Sequence, residues 1–389
     1  MRCKLGDYIR IKHGFAFKGE YITAENNGVV LVTPGNFEIG GGFKEDKCKY
    51  FNGDYPKEYV LSPYDLIVTM TDLSKQGDTL GYSALVPKTN RVYLHNQRIG
   101  LVDVYNPKAD KMYIYWLMRT QKYQKTIVAT SSGSTVKHTS PSRIYDVEVD
   151  LPPIDVQKKI AAILSALDEK IAINRAINDN LQQQAAALFS SLYDRSNTEV
   201  RFTDLIQILG GGTPKTGENT YWNGNIAFFT PKDVGIPYTL ITEKTISKEG
   251  LSHCNSRLYP VNTVFVTARG TVGKVGMSGV PMAMNQSCYA LVGKETHQLL
   301  VYFYTLKAVD RLKHKASGAV FDAITTRDFE SEQIMKLSDD DATAFLRVAE
   351  PMFQEVLNNN IENLRLSTLR DSLLPKLMSG EIDVSAVQL

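Results

Sequence analysis

Cysteine is scarce: the 389 residues hold only Cys3, Cys48, Cys254 and Cys288. They form no Cys-x-x-Cys pair, and no histidine stands at ligand spacing. This argues against a disulfide framework or a zinc site and fits a reducing compartment. An excess of charge is also missing. Lys and Arg number 44 against 42 Asp and Glu, a net charge of +2, so composition alone does not argue for nucleic acid. It leaves room for local basic loops. No stretch reaches the ~20 apolar residues of a membrane span. The opening residues, MRCKLGDYIRIK, hold no apolar core of a secretion signal, so a cytoplasmic protein is expected. Catalytic signatures are absent as well. There is no Asn-Pro-Pro-Tyr or Asp-Pro-Pro-Tyr element of an amino-methyltransferase. GTVGKV (Gly270–Val275) and GGGTPKTGE (Gly210–Glu218) both miss the GxxxxGK[ST] spacing of a phosphate loop. No nuclease signature stands out, and DEK (Asp168–Lys170) reads as the solvent-exposed surface of a long helix. The chain is long enough for two or more domains, yet nothing in it points to catalysis of its own.

What is present is repetition. Seam positions spaced alternately by four and three residues run Ile160, Leu164, Leu167, Ile171, Asn174, Asn178, Leu181, Ala185, Leu188 and Leu192. They recur as Phe345, Ala349, Met352, Val356, Asn359, Asn363, Leu366, Arg370, Leu373 and Leu377, each 185 residues from its counterpart. Both stripes are broken by two Asn at the same two positions. Gly133 and Gly318 keep this offset. Earlier in each half the offset is 197: KLGDYIRI (Lys4–Ile11) matches RFTDLIQI (Arg201–Ile208), and Thr33 of LVTPGN matches Thr230 of FFTPKD. HNQR (His95–Arg98) and MNQS (Met284–Ser287) differ by 189. The drift implies short insertions inside the halves while the helices stay fixed. Apolar runs at Asp65–Thr69, Tyr82–Val86, Arg98–Val104 and Thr263–Thr267 predict strands, and Met112–Gln121 and Gln298–Lys313 predict helices. Each half therefore reads as an α+β domain followed by a long helix.

The first long helix is expected over Asp155–Asp194, with Asp155 as its N-cap after Pro152 and Pro153. Its length would be roughly 60 Å at ~1.5 Å per residue. The second is expected from about Asp341 to Ser379, with acidic residues at its start and Gly380 as its stop. An apolar seam at heptad spacing wants a partner, and the simplest is the other helix of the same chain. Antiparallel pairing would bring Asn174 to Asn363 and Asn178 to Asn359, fixing the register at some cost in stability. The alternative is two amphipathic helices packed separately, each on its own domain.

LPPIDVQKKIAAILSALDEKIAINRAINDNLQQ (Leu151–Gln183) closely resembles the central conserved region of type I restriction-modification specificity subunits, and LRDSLLPKLMSGEI (Leu369–Ile382) the end of their second conserved region. Val32–Asn36, Phe229–Asp233, RGTVGKVG (Arg269–Gly276) and the Asn-Gln pairs 96–97 and 285–286 resemble motifs of that family's target recognition domains. The resemblance covers essentially the whole chain. One departure is KLSDDD (Lys336–Asp341) before the second helix, where the first has Pro-Pro. The resemblance implies recognition domains at 1–150 and 197–337, a central helix at 151–196 and a C-terminal helix and tail at 338–389. Together these are two pseudo-repeated domains joined by an antiparallel coiled coil. It further implies a non-catalytic chain whose domains each read half of a split DNA site. The paired helices would act as a ruler and dock two methyltransferase subunits, which carry S-adenosylmethionine. Translocating restriction subunits would add cleavage. A partner that fuses methyltransferase and nuclease, or a coiled-coil scaffold that reads no DNA, are the competing expectations.

Loops that combine Gly, small hydroxyls and a cation let the backbone approach phosphate and neutralise it. These are Lys75–Gly77, Ser131–His138, Thr213–Lys215, Arg269–Lys274 and Ser317–Ala319. Lys75, Ser134, Lys137, Lys215, Arg269, Lys274 and Ser317 are their DNA-binding candidates. Base edges need directed donors and acceptors, which Asn96, Gln97, Arg98, Asn285 and Gln286 supply. The alternative for the Asn-Gln pairs is that they cap turns. His95 and His138 read as turn or surface residues.

Overall fold

The computed structural model describes residues 2–46, 48–235, 237–315 and 323–387. The chain divides into two compact units: Met1–Glu169 with Leu366–Leu389, and Lys170–Arg365. Each unit is α+β and takes segments from both long helices. The division therefore falls inside the helices, where the sequence suggested separate globular and helical domains.

In the first unit, the uninterrupted run Leu66–Thr69 is buried at every position, as expected of an interior strand. It lies between Ile99–Val104 and Ser83–Leu85, with Ile9–His13 beyond Ile99–Val104. A second sheet pairs Val29–Val32 in parallel with Val92–His95. The second unit repeats this plan. Val264–Thr267 is buried throughout and sits between Cys288–Gly293 and Val275–Ser278. Trp222–Phe229 runs parallel to Met282–Met284.

Bonds at matching positions locate the largest step in the drifting offset. Leu5 N donates to Val147 O and Phe202 N to Glu332 O, both at 2.9 Å. Thr139 N donates to Met70 O at 2.9 Å, and Ile324 N to Ala268 O at 3.0 Å. Gly81 N donates to Thr69 O, and Gly273 N to Thr267 O, both at 2.9 Å. Met70–Leu80 thus occupies the place of Ala268–Val272, and the first unit carries six extra residues there. Both glycines have positive φ, +82° and +74°, the left-handed region that favours Gly.

The long helices span Ile154–Asp194 and Asp339–Ser379. Asp155 therefore lies in the first turn and is not the N-cap, and the second helix takes in all three Asp of KLSDDD, where negative charge suits the macrodipole. The first helix contains no Gly or Pro. The second continues through Pro351 and Pro375, although each removes a backbone donor. Buried Ala349, Phe353 and Val356 around Pro351 supply the packing that offsets this loss. The segment expected as one helix at Met112–Gln121 is broken. Lys111–Leu117 starts on Asp110, whose carboxylate accepts from Tyr113 N. Gln121–Ala129 starts on Thr120, whose hydroxyl accepts from Tyr123 N. Two good N-caps close together override a continuous apolar period.

Within each unit the helix segments are antiparallel. In the second, Asn174 Nδ2 donates to Asn363 Oδ1 (3.0 Å) and Asn359 Nδ2 to Asn178 Oδ1 (2.9 Å). Asn174 also donates to Glu362 and Asn178 to Asn360. Phe189 meets Phe345 edge to face, with Phe303 stacked at 5.0 Å. In the first unit, Asp168 accepts from Arg370 Nη1 at 2.5 Å and Arg119 Nη1 at 2.8 Å. Arg119 is 7% exposed and stacks 4.3 Å over the Trp116 ring. Asp168, expected on an exposed helix face, is therefore the charge partner of a buried guanidinium. Among the described residues no helix is long and apolar enough to cross a membrane.

Candidate nucleic-acid interface

Each unit gathers its candidate loops at the ends of the same strands. In the first, the turn after Val92–His95 holds Asn96, Gln97 and Arg98. Asn96 Oδ1 accepts from Arg98 N at 3.0 Å, and Gln97 N donates to Phe15 O at 3.0 Å. Gly14 must pass under this turn, since a Cβ there would lie 2.2 Å from Asn96 O. In the second unit, Asn285 Oδ1 accepts from Ser287 N at 3.0 Å, and a Cβ on Gly211 would lie 2.2 Å from Asn285 O. The Asn of each pair therefore builds the turn. Asn96 is 7% exposed and Asn285 half-buried. The Asn96 side-chain oxygen, expected to face a base, is thus engaged inside its own turn. Gln97, Arg98 and Gln286 are exposed beside them.

Neighbouring loops join these turns. In the first unit Met70 N donates to Arg98 O at 2.9 Å, and Thr71–Asp72 pairs with Lys137–His138. That pairing places Lys137 opposite Asp72 and brings the hairpin carrying exposed Ser134 beside the loop carrying exposed Lys75. Burial alone would raise the Asp72 pKa. Hydrogen bonds from Thr79 and Ser74 outweigh it and hold the carboxyl below its ordinary value. In the second unit Ala268 N donates to Ser287 O, Thr213 Oγ1 to Gln286 Oε1 and Thr271 Oγ1 to Pro231 O. Exposed Arg269, Lys274 and Lys215 border this cluster. Ser317 lies outside the described residues.

Two TP turns, Thr33–Asn36 and Thr230–Asp233, have the same internal geometry. Thr33 N donates to Asn36 Oδ1 at 2.9 Å and Thr230 N to Asp233 Oδ2 at 2.8 Å. Their shared motif is thus a folded turn. His95 is not a surface residue but 1% exposed. Burial depresses its pKa, and Nε2 lies 2.8 Å from Ile99 O, so the neutral ring donates there. His138 is exposed, with Nδ1 3.2 Å from Thr71 Oγ1. The four cysteines are free, and no metal-ligand cluster occurs among the described residues.

Sequence reasoning missed two buried ion groups: Asp168 with its arginines, and Glu332. Glu332 is fully buried, 2.8 Å from Arg311 Nε and 2.5 Å from Lys315 Nζ. Neither group has a local sequence signal, because the partners come from distant elements.

A duplicated α+β unit with matched loop clusters is the class of protein that fold and site define. The model of the type I restriction modification DNA specificity domain matches residues 1–183 and 195–336. The chain belongs to this family and is a specificity subunit with two recognition domains. The HindI specificity subunit of Haemophilus influenzae is 24% identical over 402 residues, covering 79% of this chain and 87% of the relative. The MjaIX specificity subunit of Methanocaldococcus jannaschii is 22% identical, covering 70% and 69%. The S subunit of a type I system from M. genitalium superposes with a TM-score of 0.62 at 16% identity, covering 97% of this chain and 95% of that one, and so shares the fold.

Proposed function

We propose that this chain reads a split DNA site, one half per unit, and presents it to a methyltransferase without catalysing a reaction itself. The carrying observation is that both units build the same Asn-Gln turn at the same strand end and surround it with exposed cations and amides. Gln97 and Arg98 in the first unit and Gln286 in the second supply the directed donors and acceptors for base edges. Arg269, Lys274, Lys215, Lys75 and Lys137 neutralise phosphate, and exposed Ser134 can donate to it. Asn96 and Asn285 act by shaping the turn. The partners are methyltransferase subunits carrying S-adenosylmethionine, docked on the long helices, and restriction subunits. A cytoplasmic location follows from such partners.

The test is reconstitution. The chain purified with its methyltransferase should methylate a two-part site and protect two separated stretches in a footprint. One contiguous footprint, or methyl transfer by the chain alone, would overturn the proposal.

A further inference from the structure

The six extra residues of the first unit make its loop chemically unlike its counterpart. The second unit's loop, Arg269–Lys274 (RGTVGK), carries two exposed cations and no acid. Its one branched apolar residue, Val272, packs against the core. The first unit's loop, Leu73–Asp78 (LSKQGD), balances Lys75 with Asp78 and exposes Leu73 to 66%. With Lys75 offset by Asp78, this loop draws less on phosphate than its counterpart with two unopposed cations. It is nevertheless held firmly. Buried Asp72 accepts from Ser74 N (2.6 Å) and from the backbone and hydroxyl of Thr79. Gln124 Nε2 donates to Gly77 O at 2.8 Å, and Leu80 is fully buried. The anchors lie at Asp72, Gly77 and Leu80, while Leu73, Lys75 and Gln76 stay exposed between them. The strand that starts the loop pairs with Lys137–His138, and Met70 is bonded to Arg98 of the Asn-Gln turn, so the loop borders the proposed base-reading cluster.

We propose that this loop is a base-reading finger peculiar to the first unit, and that Leu73 is its apolar contact, seated against the 5-methyl group of a thymine in the major groove. The inference rests on the DNA-reading function proposed above. A thymine methyl is the apolar feature that separates T from C at that edge, and an aliphatic side chain recognises it by excluding water. Immobilising the loop in advance lowers the ordering cost of such a contact.

The test uses the full chain with its methyltransferase, on duplexes bearing the site found by methylome sequencing. Each thymine of the half-site read by the first unit is replaced in turn by deoxyuridine, which lacks only the methyl. The intact chain should lose about four-fold in affinity at one position. Leu73→Ala should lose as much on the thymine duplex and nothing further on deoxyuridine, with its unfolding midpoint unchanged. Deoxyuridine in the other half-site should cost nothing. No loss with Leu73→Ala, or an equal loss at every position, overturns the inference. Reduced DNA bending without a deoxyuridine effect also overturns it and makes Leu73 a wedge between base steps. If the intact chain binds no split site, the proposed function fails instead.

Discussion

Asp168 shows what a single side chain does here. It is the carboxylate that faces both Arg119 and Arg370, and Arg119 is almost wholly buried. Asp168→Ala would leave that guanidinium without its counter-charge, a loss of about 3 kcal/mol by analogy with broken buried pairs. Urea denaturation followed by tryptophan fluorescence should report it through Trp116, since Arg119 stacks on that ring. His95 adds a pH dependence. Its folded pKa lies below the ordinary value of 6.5, so the unfolded chain takes up a proton that the folded chain refuses. Stability should therefore fall as pH drops below about 6.5, and His95→Gln should flatten that slope between pH 7 and 5. At the proposed DNA interface, Lys274→Ala should weaken binding to all sequences and lower the salt slope by about one, whereas Gln286→Ala should cost about 1–3 kcal/mol at one base pair. Filter binding across a salt series, on cognate and single-mismatch duplexes, separates these outcomes.

The long helices are legible as elements because their period is a property of the chain itself. Heptad positions, an unbroken run free of Gly and Pro in the first helix, and the twofold Asn break are all visible before folding. Their ends are less so. Asp155 resembles a cap, yet the helix begins at Ile154, since one or two residues more or less are decided by the preceding backbone. The Asn seam carries its own prediction. Asn178→Ala removes the acceptor of the buried Asn359 amide and should cost about 1–3 kcal/mol. Replacing both by Leu should recover that loss, because two apolar partners leave no polar atom of this pair unpaired. A double-mutant cycle in chemical denaturation measures the coupling. Little coupling would mean that Asn360 and Glu362, which the heptad pattern did not single out, hold the register.

Across the whole molecule, the duplication predicts separable reading. Exchanging the loops of Met1–Asp150 should change one half of the methylated site and leave the other intact, as methylome sequencing would show. The proposed ruler predicts a second outcome. Inserting one heptad after Glu169 and a facing heptad after Ser367 keeps the antiparallel seam in register and adds about 10 Å of helix. The accepted spacer should lengthen by about three base pairs. An unchanged spacer would refute the ruler.

The sequence by itself determined the duplication, the fold class, the two long helices and the family, because repeats and periods are written in residue order. Only the tertiary structure decided which candidate side chains are exposed and which are engaged within the fold. It buried Asn96 inside its own turn and His95 inside a strand. It turned Asp168 from surface to ion-pair partner and set the extra loop of Leu73 beside Arg98. Each of these depends on residues far apart in the chain meeting through packing and backbone hydrogen bonds, and no local pattern encodes such meetings.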